Sequence, residues 1–365
     1  MVDNLDKIAN IRPWGTIILF DKIICDGPNQ DGAEDGKKIS CFTHIHDDHI
    51  KGLDGVLGGI NSKVYSTNET KELASSLYAA SGIEWMHNRE NFTGLNGPKD
   101  VASVDGFDIN FENTNHILGS GQLVVRKNEQ SVCYSSDFMI KNTAIPKDIK
   151  YLILDTTHGE HSESQTFDSP INSKRMIVEK VREVMNSQDK RINIHASRGT
   201  LQLAMSWLKD EFGQIPFFAS AKDTSVAKKY TSLGHNCGKI IEDKEENFNR
   251  VFREGEPFIR FLATKKNSEC ELVVPQIASI KIGSTTSTSL TSESGMFLVN
   301  LQEHATVEEV VQYAKEVSPE HIVLDNSKRI SGKDNATYLE QKIRENGFSV
   351  SVSKSPKTHP KYMGF

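Results

Sequence analysis

Cysteine is scarce in this chain, and the few cysteines present are not arranged as a structural set. There are five, an odd number, and none belongs to a C-x-x-C pair. This distribution argues against a disulfide framework and against a zinc site built from thiolates. The cysteines are scattered over most of the sequence, at Cys25, Cys41, Cys133, Cys237 and Cys270.

Signals for export and for membrane insertion are also missing. The N-terminal stretch MVDNLDKIANIRPWG has no basic segment followed by an apolar core, so we expect no secretory signal. No run approaches the roughly 20 apolar residues that a helix needs to span a bilayer. We therefore expect an intracellular, cytoplasmic protein in a reducing compartment, without a membrane partner.

The sequence has no excess of positive charge. Its formal net charge is −6, which gives no global attraction to nucleic acid. A nucleic-acid partner would need a local basic stripe. Basic residues do occur after residue 220, but an acidic run lies among them at Glu242, Asp243, Glu245 and Glu246. Mixed charge of this kind is typical of a solvated surface.

The length and the composition are those of a soluble α/β protein with more than one domain. A chain of 365 residues suggests two or three domains, and 37% hydrophobic residues are enough for a sizeable core. The first 155 residues consist mostly of short apolar strands, with one helix expected from about Glu69 to Ala80, capped by Asn68 or Thr67. The predicted strands are Thr16–Phe20, Lys22–Cys25, Ile39–Thr43, Gly121–Arg126, Ser131–Tyr134 and Tyr151–Leu154.

From about Ser169 the pattern changes to alternating helices and strands. We expect helices at Asn172–Asn186 and Thr200–Phe212, with a strand at Arg191–His195 between them. The polar stretch Lys281–Ser294 is either a linker or a long surface loop. A β-α-β-α tail of the kind that packs on an existing sheet follows, and the last dozen residues are expected to be loosely ordered. The tail comprises a strand at Met296–Asn300, a helix from Thr306, a strand at Ile322–Asp325 and a helix near Asn335–Asn346.

The strongest chemical signal is the segment T-H-I-H-D-D-H at residues 43 to 49, which follows an apolar strand. In an extended segment, His44 and His46 point to the same face. A turn at Asp47 can bring Asp48 and His49 back towards them. Imidazole and carboxylate groups suit Zn²⁺, and a site with few protein ligands leaves room for water. The segment therefore predicts a zinc site rather than a polar loop that happens to be rich in histidine.

This segment closely resembles the H-x-H-x-D-H motif of the metallo-β-lactamase superfamily. Asp26 in I-I-C-D-G resembles the first motif of that family, an aspartate that braces the ligand loop. His116 in N-H-I-L-G-S and Asp137 in Y-S-S-D-F resemble the third and fourth motifs, although a lone histidine beside a strand is often structural. The resemblance implies two zinc ions, with Mn²⁺ as a substitute. The implied ligands are His44, His46 and His116 for the first ion, Asp48 and His49 for the second, and Asp137 as the bridge.

Three further segments resemble the β-CASP branch of the superfamily, whose members are RNA-processing ribonucleases and DNA cross-link repair exonucleases. Asp155 in Y-L-I-L-D-T-T-H-G matches the acidic motif, and His304 in Q-E-H-A-T matches the second histidine motif. I-N-I-H-A-S-R-G-T-L-Q-L at 192 to 203 resembles a joint early in the insert, with Arg198 and Gly199 in reversed order. The resemblance implies a metallo-β-lactamase αββα sandwich at 1–165 and 296–365, interrupted by a β-CASP-like α/β cap domain at 166–295.

The same resemblance implies a nuclease mechanism. A zinc-activated hydroxide attacks phosphorus, and His304 donates a proton to the departing sugar oxygen. Asp155 hydrogen-bonds His304 and raises its pKa. The alternatives are a capping or surface histidine and a turn-forming aspartate. His195 and Arg198 are candidate phosphate contacts at a helix start.

Departures from the family pattern leave other functions open. At the position of the last motif, where many RNA-acting members have a histidine that binds the second zinc, this chain has Asn326, preceded by Asp325. Asn326 is a poor zinc ligand, so the second site is expected to be weak, and DNA is slightly favoured over RNA. His158, just after Asp155, is expected to be an ordinary polar loop residue. The expected substrate is single-stranded DNA or RNA, and the expected state is a monomer or homodimer. The competing functions are a small-molecule hydrolase, such as a lactonase or other ester hydrolase, and a non-catalytic scaffold.

Overall fold

Helices and strands are interspersed along the whole described chain, so the α/β class expected from the sequence is confirmed. The computed structural model describes residues 5–12, 15–82, 90–159, 167–264, 277–283, 296–327 and 336–353. The chain divides into two compact units. The first comprises Met1–Lys71, Trp85–Ser162 and His304–Phe365, and the second comprises Glu72–Glu84 and Glu163–Glu303.

The elements are numbered in chain order. The strands are β1 (Ala9–Ile11), β2 (Ile17–Leu19), β3 (Ile23–Cys25), β4 (Ile39–Cys41), β5 (Val64–Thr67), β6 (Phe92–Leu95), β7 (Ala102–Val104), β8 (Phe107–Asn113), β9 (Gly121–Lys127), β10 (Gln130–Tyr134), β11 (Tyr151–Asp155), β12 (Arg191–Ala196), β13 (Phe217–Ala219), β14 (Ile240–Glu242), β15 (Phe258–Ala263), β16 (Ala278–Ile282), β17 (Met296–Val299), β18 (His321–Asp325) and β19 (Val350–Val352). The helices are α1 (Leu5–Ile8), α2 (Asp47–Ile50), α3 (Leu53–Leu57), α4 (Asn68–Ala79), α5 (Pro170–Met185), α6 (Thr200–Phe212), α7 (Ala221–Ser232), α8 (Glu245–Glu254), α9 (Val307–Val317) and α10 (Ala336–Glu345).

Two sheets share one apolar core in the first unit. The first sheet has the order β1-β2-β3-β4-β5-β6, and the second has the order β19-β18-β11-β10-β9-β8-β7. The core contains Ile23 and Cys41 from the first sheet and Phe111 and Val132 from the second. Burying a side chain of this size contributes roughly 1.5–3 kcal/mol. The buried faces of the two sheets therefore fix the strand ends that carry the polar loops described below.

Two helices cover the other face of the second sheet. Helices α9 and α10 place Tyr313 and Leu339 in a second apolar cluster with Leu152 and Leu324 of the sheet. Helix α9 begins with a capping box, in which the Thr306 hydroxyl accepts a hydrogen bond from the backbone N–H of Glu309. The apolar side chains recur at helical spacing, which explains why this helix could be predicted from the sequence.

The second unit is built on a parallel sheet. Its six strands have the order β14-β13-β15-β12-β16-β17, and every neighbouring pair is parallel. Helices alternate with these strands, as a parallel sheet requires. Helix α5 starts where Ser169 accepts a hydrogen bond from the N–H of Asn172, with Pro170 in the first turn.

Some elements differ from the sequence-based expectation. Strand β17, which the sequence analysis groups with the C-terminal tail, pairs with β16 in the sheet of the second unit. The first residues of the proposed linker, Lys281 and Ile282, belong to β16, because a paired strand satisfies their backbone polar groups. The rest of that stretch, from 284 to 294, lies outside the described residues, as do the last dozen residues and Cys270. Within the described ranges, no helix is long and apolar enough to cross a membrane.

Candidate metal centre

The histidine-rich segment begins just after the C-terminal end of strand β4, in the interior of the first sheet. The strand is fully buried and lies between β3 and β5 in parallel pairing. His46 has an extended backbone and caps the short helix α2, and its carbonyl oxygen accepts hydrogen bonds from the N–H groups of His49 and Ile50. The turn predicted at Asp47 is thus the first turn of α2. It folds His49 back towards His44, and their ring centroids are 3.9 Å apart.

A buried carboxylate holds this loop in place. Asp26 follows β3 with a φ of 54°, and one of its oxygens, Oδ1, accepts the backbone N–H of Thr43 at 2.9 Å. The other, Oδ2, accepts the Thr43 hydroxyl at 2.7 Å and lies 2.7 Å from His49 Nδ1. Because an ionised carboxylate only accepts hydrogen bonds, the Nδ1 atom of His49 carries the proton. The Nε2 lone pair of a neutral His49 ring is then available to a metal ion, as in carboxylate–histidine–metal arrangements.

The Thr43 hydroxyl sets the tautomer of His44 in the same way. This hydroxyl donates to Asp26 and accepts from the Ser136 hydroxyl at 2.7 Å. His44 Nδ1 lies 3.1 Å from the same oxygen. Because the Thr43 proton is already donated to Asp26, the contact requires a proton on His44 Nδ1, which leaves Nε2 as an acceptor. Thr43 and Ser136 were not predicted as supports of the site, because neither residue type has a distinctive pattern there.

Loops from the second sheet add the other members of the cluster. His116 lies in the turn after β8, where its backbone N–H donates to the Ser120 hydroxyl at 3.2 Å. Asp137 follows β10, directly after Ser136, whose φ is 55°. Both loops follow strands whose inner faces are buried in the shared core. The positions of His116 and Asp137 are therefore set by the packing of the two sheets.

Three histidines and one aspartate form a compact group of ligand atoms. His46 Nδ1 lies 3.0 Å from His44 Nε2 and 3.2 Å from His116 Nε2. Asp137 Oδ2 lies 3.7 Å from His44 Nε2 and 3.8 Å from His116 Nε2. Zinc–nitrogen bonds of about 2.0–2.1 Å in a tetrahedron place neighbouring ligand atoms about 3.3 Å apart. All four ligand atoms lie within 4.8 Å of one another, so the group could hold a metal ion.

The protonation state of His44 also suits metal binding. Burial lowers the pKa of His44 well below its usual 6.5, and the charges of His49, His46 and His116 lower it further, against an opposing effect of Asp137. The ring is therefore neutral at physiological pH. Only a neutral imidazole can bind a metal ion through its lone pair.

A second group combines Asp137 with Asp155 and His304. Asp155 is the last residue of β11, and its Oδ1 accepts the N–H and the hydroxyl of Thr157 at 3.0 and 2.7 Å. Its Oδ2 lies 3.1 Å from His304 Nδ1. Burial and Asp137 raise the pKa of Asp155, but hydrogen bonds from His304 and Thr157 and the charge of His304 outweigh them and lower it. The ligand atoms of Asp137, Asp155 and His304 all lie within 4.8 Å of one another.

The residues predicted to hold a second ion lie beside the first group. His49 Nε2 is 3.2 Å from Asp137 Oδ2 and 3.8 Å from Asp48 Oδ2. At the last motif, Asp325 Oδ1 accepts the N–H and the hydroxyl of Ser327, and the N–H of Asn326 donates to Ser353. Within the described part of the chain, neither ligand group contains Asp48, His49, Asp325 or Asn326. Their role as ligands stays a prediction.

The two candidate phosphate contacts lie in the second unit. His195 is the residue before the end of β12, and burial, together with Lys281 and Arg260, lowers its pKa. Arg198 donates from Nε to Asp223 Oδ1 at 3.0 Å. This ion pair engages part of the guanidinium group. A phosphate role for either residue stays a prediction.

One histidine near the cluster was not expected there. His158 is buried, and its ring packs edge-on against His304, with centroids 5.5 Å apart and an interplanar angle of 86°. Burial and the nearby His304 lower the pKa of His158 to about 4, so its ring is neutral at physiological pH. It is a packing partner of His304 rather than an ordinary loop residue. In the sequence, the only indication that His158 lies near His304 was its position three residues after Asp155.

Comparisons with known proteins identify a shared fold. The sequence matches no protein-family model and no curated protein. The structure is similar to the crystal structure of a protein of unknown function from Enterococcus faecalis V583, with a TM-score of 0.55 and 13% sequence identity. The match covers 97% of this chain and 96% of that chain. At this identity the similarity shows the fold alone.

Proposed function

We propose that this protein is a zinc-dependent phosphodiester hydrolase that acts on single-stranded DNA or RNA. One observation carries the proposal: a group of three histidines and one aspartate lies directly beside a carboxylate–histidine pair. His116 belongs to the first group and His304 to the pair, and their ring centroids are 5.0 Å apart. A metal-activated attack and a proton donor for the leaving group are the two requirements of phosphodiester hydrolysis near neutral pH.

The donor set fits zinc better than a hard cation. Three imidazole nitrogens and one carboxylate oxygen are typical zinc ligands, whereas Mg²⁺ and Ca²⁺ favour sites made only of oxygen. When bound, zinc supplies Lewis acidity that lowers the pKa of a water molecule and neutralises negative charge on phosphate oxygens. Asp26 and Thr43 contribute by keeping protons on the Nδ1 atoms of His49 and His44.

His304 is proposed as the proton donor. Its Nδ1 faces Asp155 Oδ2, so the proton shared with this carboxylate stays at Nδ1. The proton that leaves is therefore the one on Nε2, and it goes to the departing sugar oxygen. Thr157 fixes the other oxygen of Asp155, which keeps the carboxylate in a single orientation. General acid catalysis of this kind contributes about 10²–10⁴-fold to the rate.

The finer fold assignment belongs to the same proposal. We propose that the two sheets of the first unit form a metallo-β-lactamase αββα sandwich and that the second unit corresponds to a β-CASP domain. The core shared by the two sheets and the helices on the outer face of the second sheet support the sandwich. The long insertion with its own parallel sheet supports the β-CASP assignment.

Nuclease assays test the proposal. Single-stranded RNA and DNA, labelled at the 5′ or the 3′ end, are incubated with the protein and zinc or manganese. The variants are His44→Ala, His116→Ala and His304→Ala, with His321→Gln as a matched control outside the cluster. We expect cleavage by the wild type and the control, none by His44→Ala or His116→Ala, and strongly slowed cleavage by His304→Ala.

Intact polynucleotides in the presence of zinc-loaded wild-type protein would overturn the nuclease assignment. Lactones and other small esters are the substrates to test in that case, because a metal-activated water can also attack a carboxyl carbon. Cleavage that survives His44→Ala would point to a contaminating nuclease.

A further inference from the structure

Asp137 belongs to two groups of ligand atoms at once. One is the group with His44, His46 and His116, and the other is the group with Asp155 and His304. Among the residues that the structure describes, these are the two places where three or more such side chains converge. A carboxylate shared in this way is the usual bridge between two metal ions.

The charges in the second group call for a cation. Asp137 and Asp155 are both largely shielded from solvent, with side-chain exposures of 6% and 12%. Their ligand atoms lie within 4.8 Å of one another, so the two charges repel, and His304 offsets this repulsion only while its ring is protonated. Asp155 is held in place by Thr157 and β11, so it cannot move away from Asp137 at low cost. A divalent ion between the two carboxylates would remove this repulsion.

The donor set of this group is also suited to a transition metal. His304 Nδ1 lies 3.1 Å from Asp155 Oδ2, close to the separation of about 3.3 Å expected for neighbouring ligands on zinc, and an ion held by these two atoms would replace the proton that they otherwise share. Two carboxylates and one imidazole leave coordination positions open for water or substrate. Zinc and manganese both accept mixed oxygen and nitrogen ligands.

The alternative set, Asp48 with His49, is less complete. The Asp48 side chain is 30% exposed, and its Oδ2 lies 3.8 Å from His49 Nε2. The last-motif position, which could add a further ligand, holds Asn326, whose neighbour Asp325 has one oxygen hydrogen-bonded by Ser327. This set is therefore more open to solvent and has fewer converging ligand atoms.

We propose that Asp137, Asp155 and His304 form a second divalent-cation site, which shares Asp137 with the first site. The site itself does not depend on the proposed function, but its regulatory consequence does. An ion in this site takes Nδ1 of His304 and the Asp155 oxygen that orients the ring, so the pair can no longer serve as the proton donor. Excess metal therefore inhibits the hydrolase that one ion activates.

Zinc titration of the metal-free protein tests the site. Stoichiometry and affinity are measured by competition with a chromophoric chelator and by calorimetry for the wild type, Asp155→Asn, His304→Gln and Asp48→Asn. We expect the wild type to bind two equivalents with different affinities. Asp155→Asn and His304→Gln lose the weaker equivalent and keep the tighter one, and Asp48→Asn keeps both. The retained tight equivalent shows that the variants are folded.

Three results would overturn the site: a wild type that binds a single equivalent, Asp155→Asn and His304→Gln variants that keep both, or loss of the weaker equivalent in Asp48→Asn. The failure of the proposed function looks different. If the protein binds two ions in the predicted pattern but leaves all polynucleotides intact, the second site stands. The proposed function and the inhibition by excess metal are then both wrong.

Discussion

His49 Nδ1 and Asp26 Oδ2 lie 2.7 Å apart, and both side chains are completely buried. The contact joins residues that are far apart in sequence and lie in two separate loops of the first sheet. It fixes the proton of the imidazole on the side away from Asp137, whose Oδ2 lies 3.2 Å from His49 Nε2. The unprotonated Nε2 atom of His49 therefore faces Asp137, and Asp26, which sets this orientation, belongs to neither ligand group.

Asp26→Asn is the first test of this relationship. The amide keeps the shape of the carboxylate but loses its charge and one acceptor oxygen. We expect zinc affinity to fall by about 10–100-fold, as is usual when the support of a ligating histidine is changed, because Asp26 also accepts the Thr43 hydroxyl that orients His44. Chelator competition measures the affinity. The control is Asp54→Asn, an exposed aspartate of α3, which should bind zinc like the wild type. Unchanged affinity in Asp26→Asn would show that the contact serves only the fold.

The proposed role of His304 is tested by changing the leaving group. A sugar alkoxide needs a proton as it departs, whereas p-nitrophenolate is stable without one. His304→Ala should therefore slow cleavage of an oligonucleotide by about 10²–10⁴-fold and have a much smaller effect on a p-nitrophenyl phosphodiester. Steady-state rates on the two substrates give the comparison. Equal losses on both would mean that His304 does not act as the proton donor.

Metal removal should destabilise the first unit. The ligand atoms of His44, His46, His116 and Asp137 belong to loops of both sheets, so an ion joins segments that are distant in sequence. Binding to the folded state alone adds about 2.7 kcal/mol when free zinc is ~100 times its Kd. Thermal melts in EDTA and in zinc measure the effect. The melting temperature of the wild type should rise in zinc, and that of His116→Ala should rise much less.

The sequence predicted features that depend on neighbours along the chain. Helix α6 runs from Thr200 to Phe212, as expected, because apolar periodicity is a local property. The proximity of His44 and His46 could likewise be predicted, since these two histidines are close in sequence. The α/β class followed from the same periodic patterns.

Features that depend on tertiary packing could not be predicted in this way. The contact between His158 and His304 joins the loop after β11 to the segment before α9, and no local pattern links the two. The pairing of β17 with β16 depends on which sheet offers a free edge, which short apolar strands do not specify. The hydroxyl contacts of Thr43 and Ser136 arise only after both sheets have packed together.

A half-buried histidine away from the cluster makes stability depend on pH. His321 Nδ1 and Nε2 lie 2.8 and 3.0 Å from the hydroxyls of Ser349 and Ser351. Burial, and secondarily Arg344, lower the pKa of His321 from its usual 6.5. As the pH falls below 6.5, His321 is protonated in the unfolded chain at a higher pH than in the folded chain. The free energy of unfolding therefore falls with decreasing pH until the folded-state pKa is reached. Above pH 6.5 the ring is neutral in both states and makes no pH-dependent contribution.

His321→Gln isolates this contribution. Urea unfolding of the metal-free protein is measured at several pH values between 7.5 and 5 for the wild type, His321→Gln and His235→Gln. His235→Gln, at an exposed position, controls for the loss of one histidine. The stability of His321→Gln should fall less steeply with decreasing pH. Parallel curves for all three proteins would show that the His321 ring has the same proton affinity in the folded and unfolded states.

The location of the metal is the most direct test of the central claim, that the cluster around His44, His46, His116 and Asp137 is a zinc centre. Crystals grown with one equivalent of zinc allow diffraction data to be collected on both sides of the zinc absorption edge. The anomalous difference map should show its strongest peak about 2.0–2.2 Å from the Nε2 atoms of His44 and His116, from Nδ1 of His46 and from Oδ2 of Asp137. A strongest peak bound by other residues, or none in zinc-grown crystals, would contradict the metal centre and the hydrolase that depends on it.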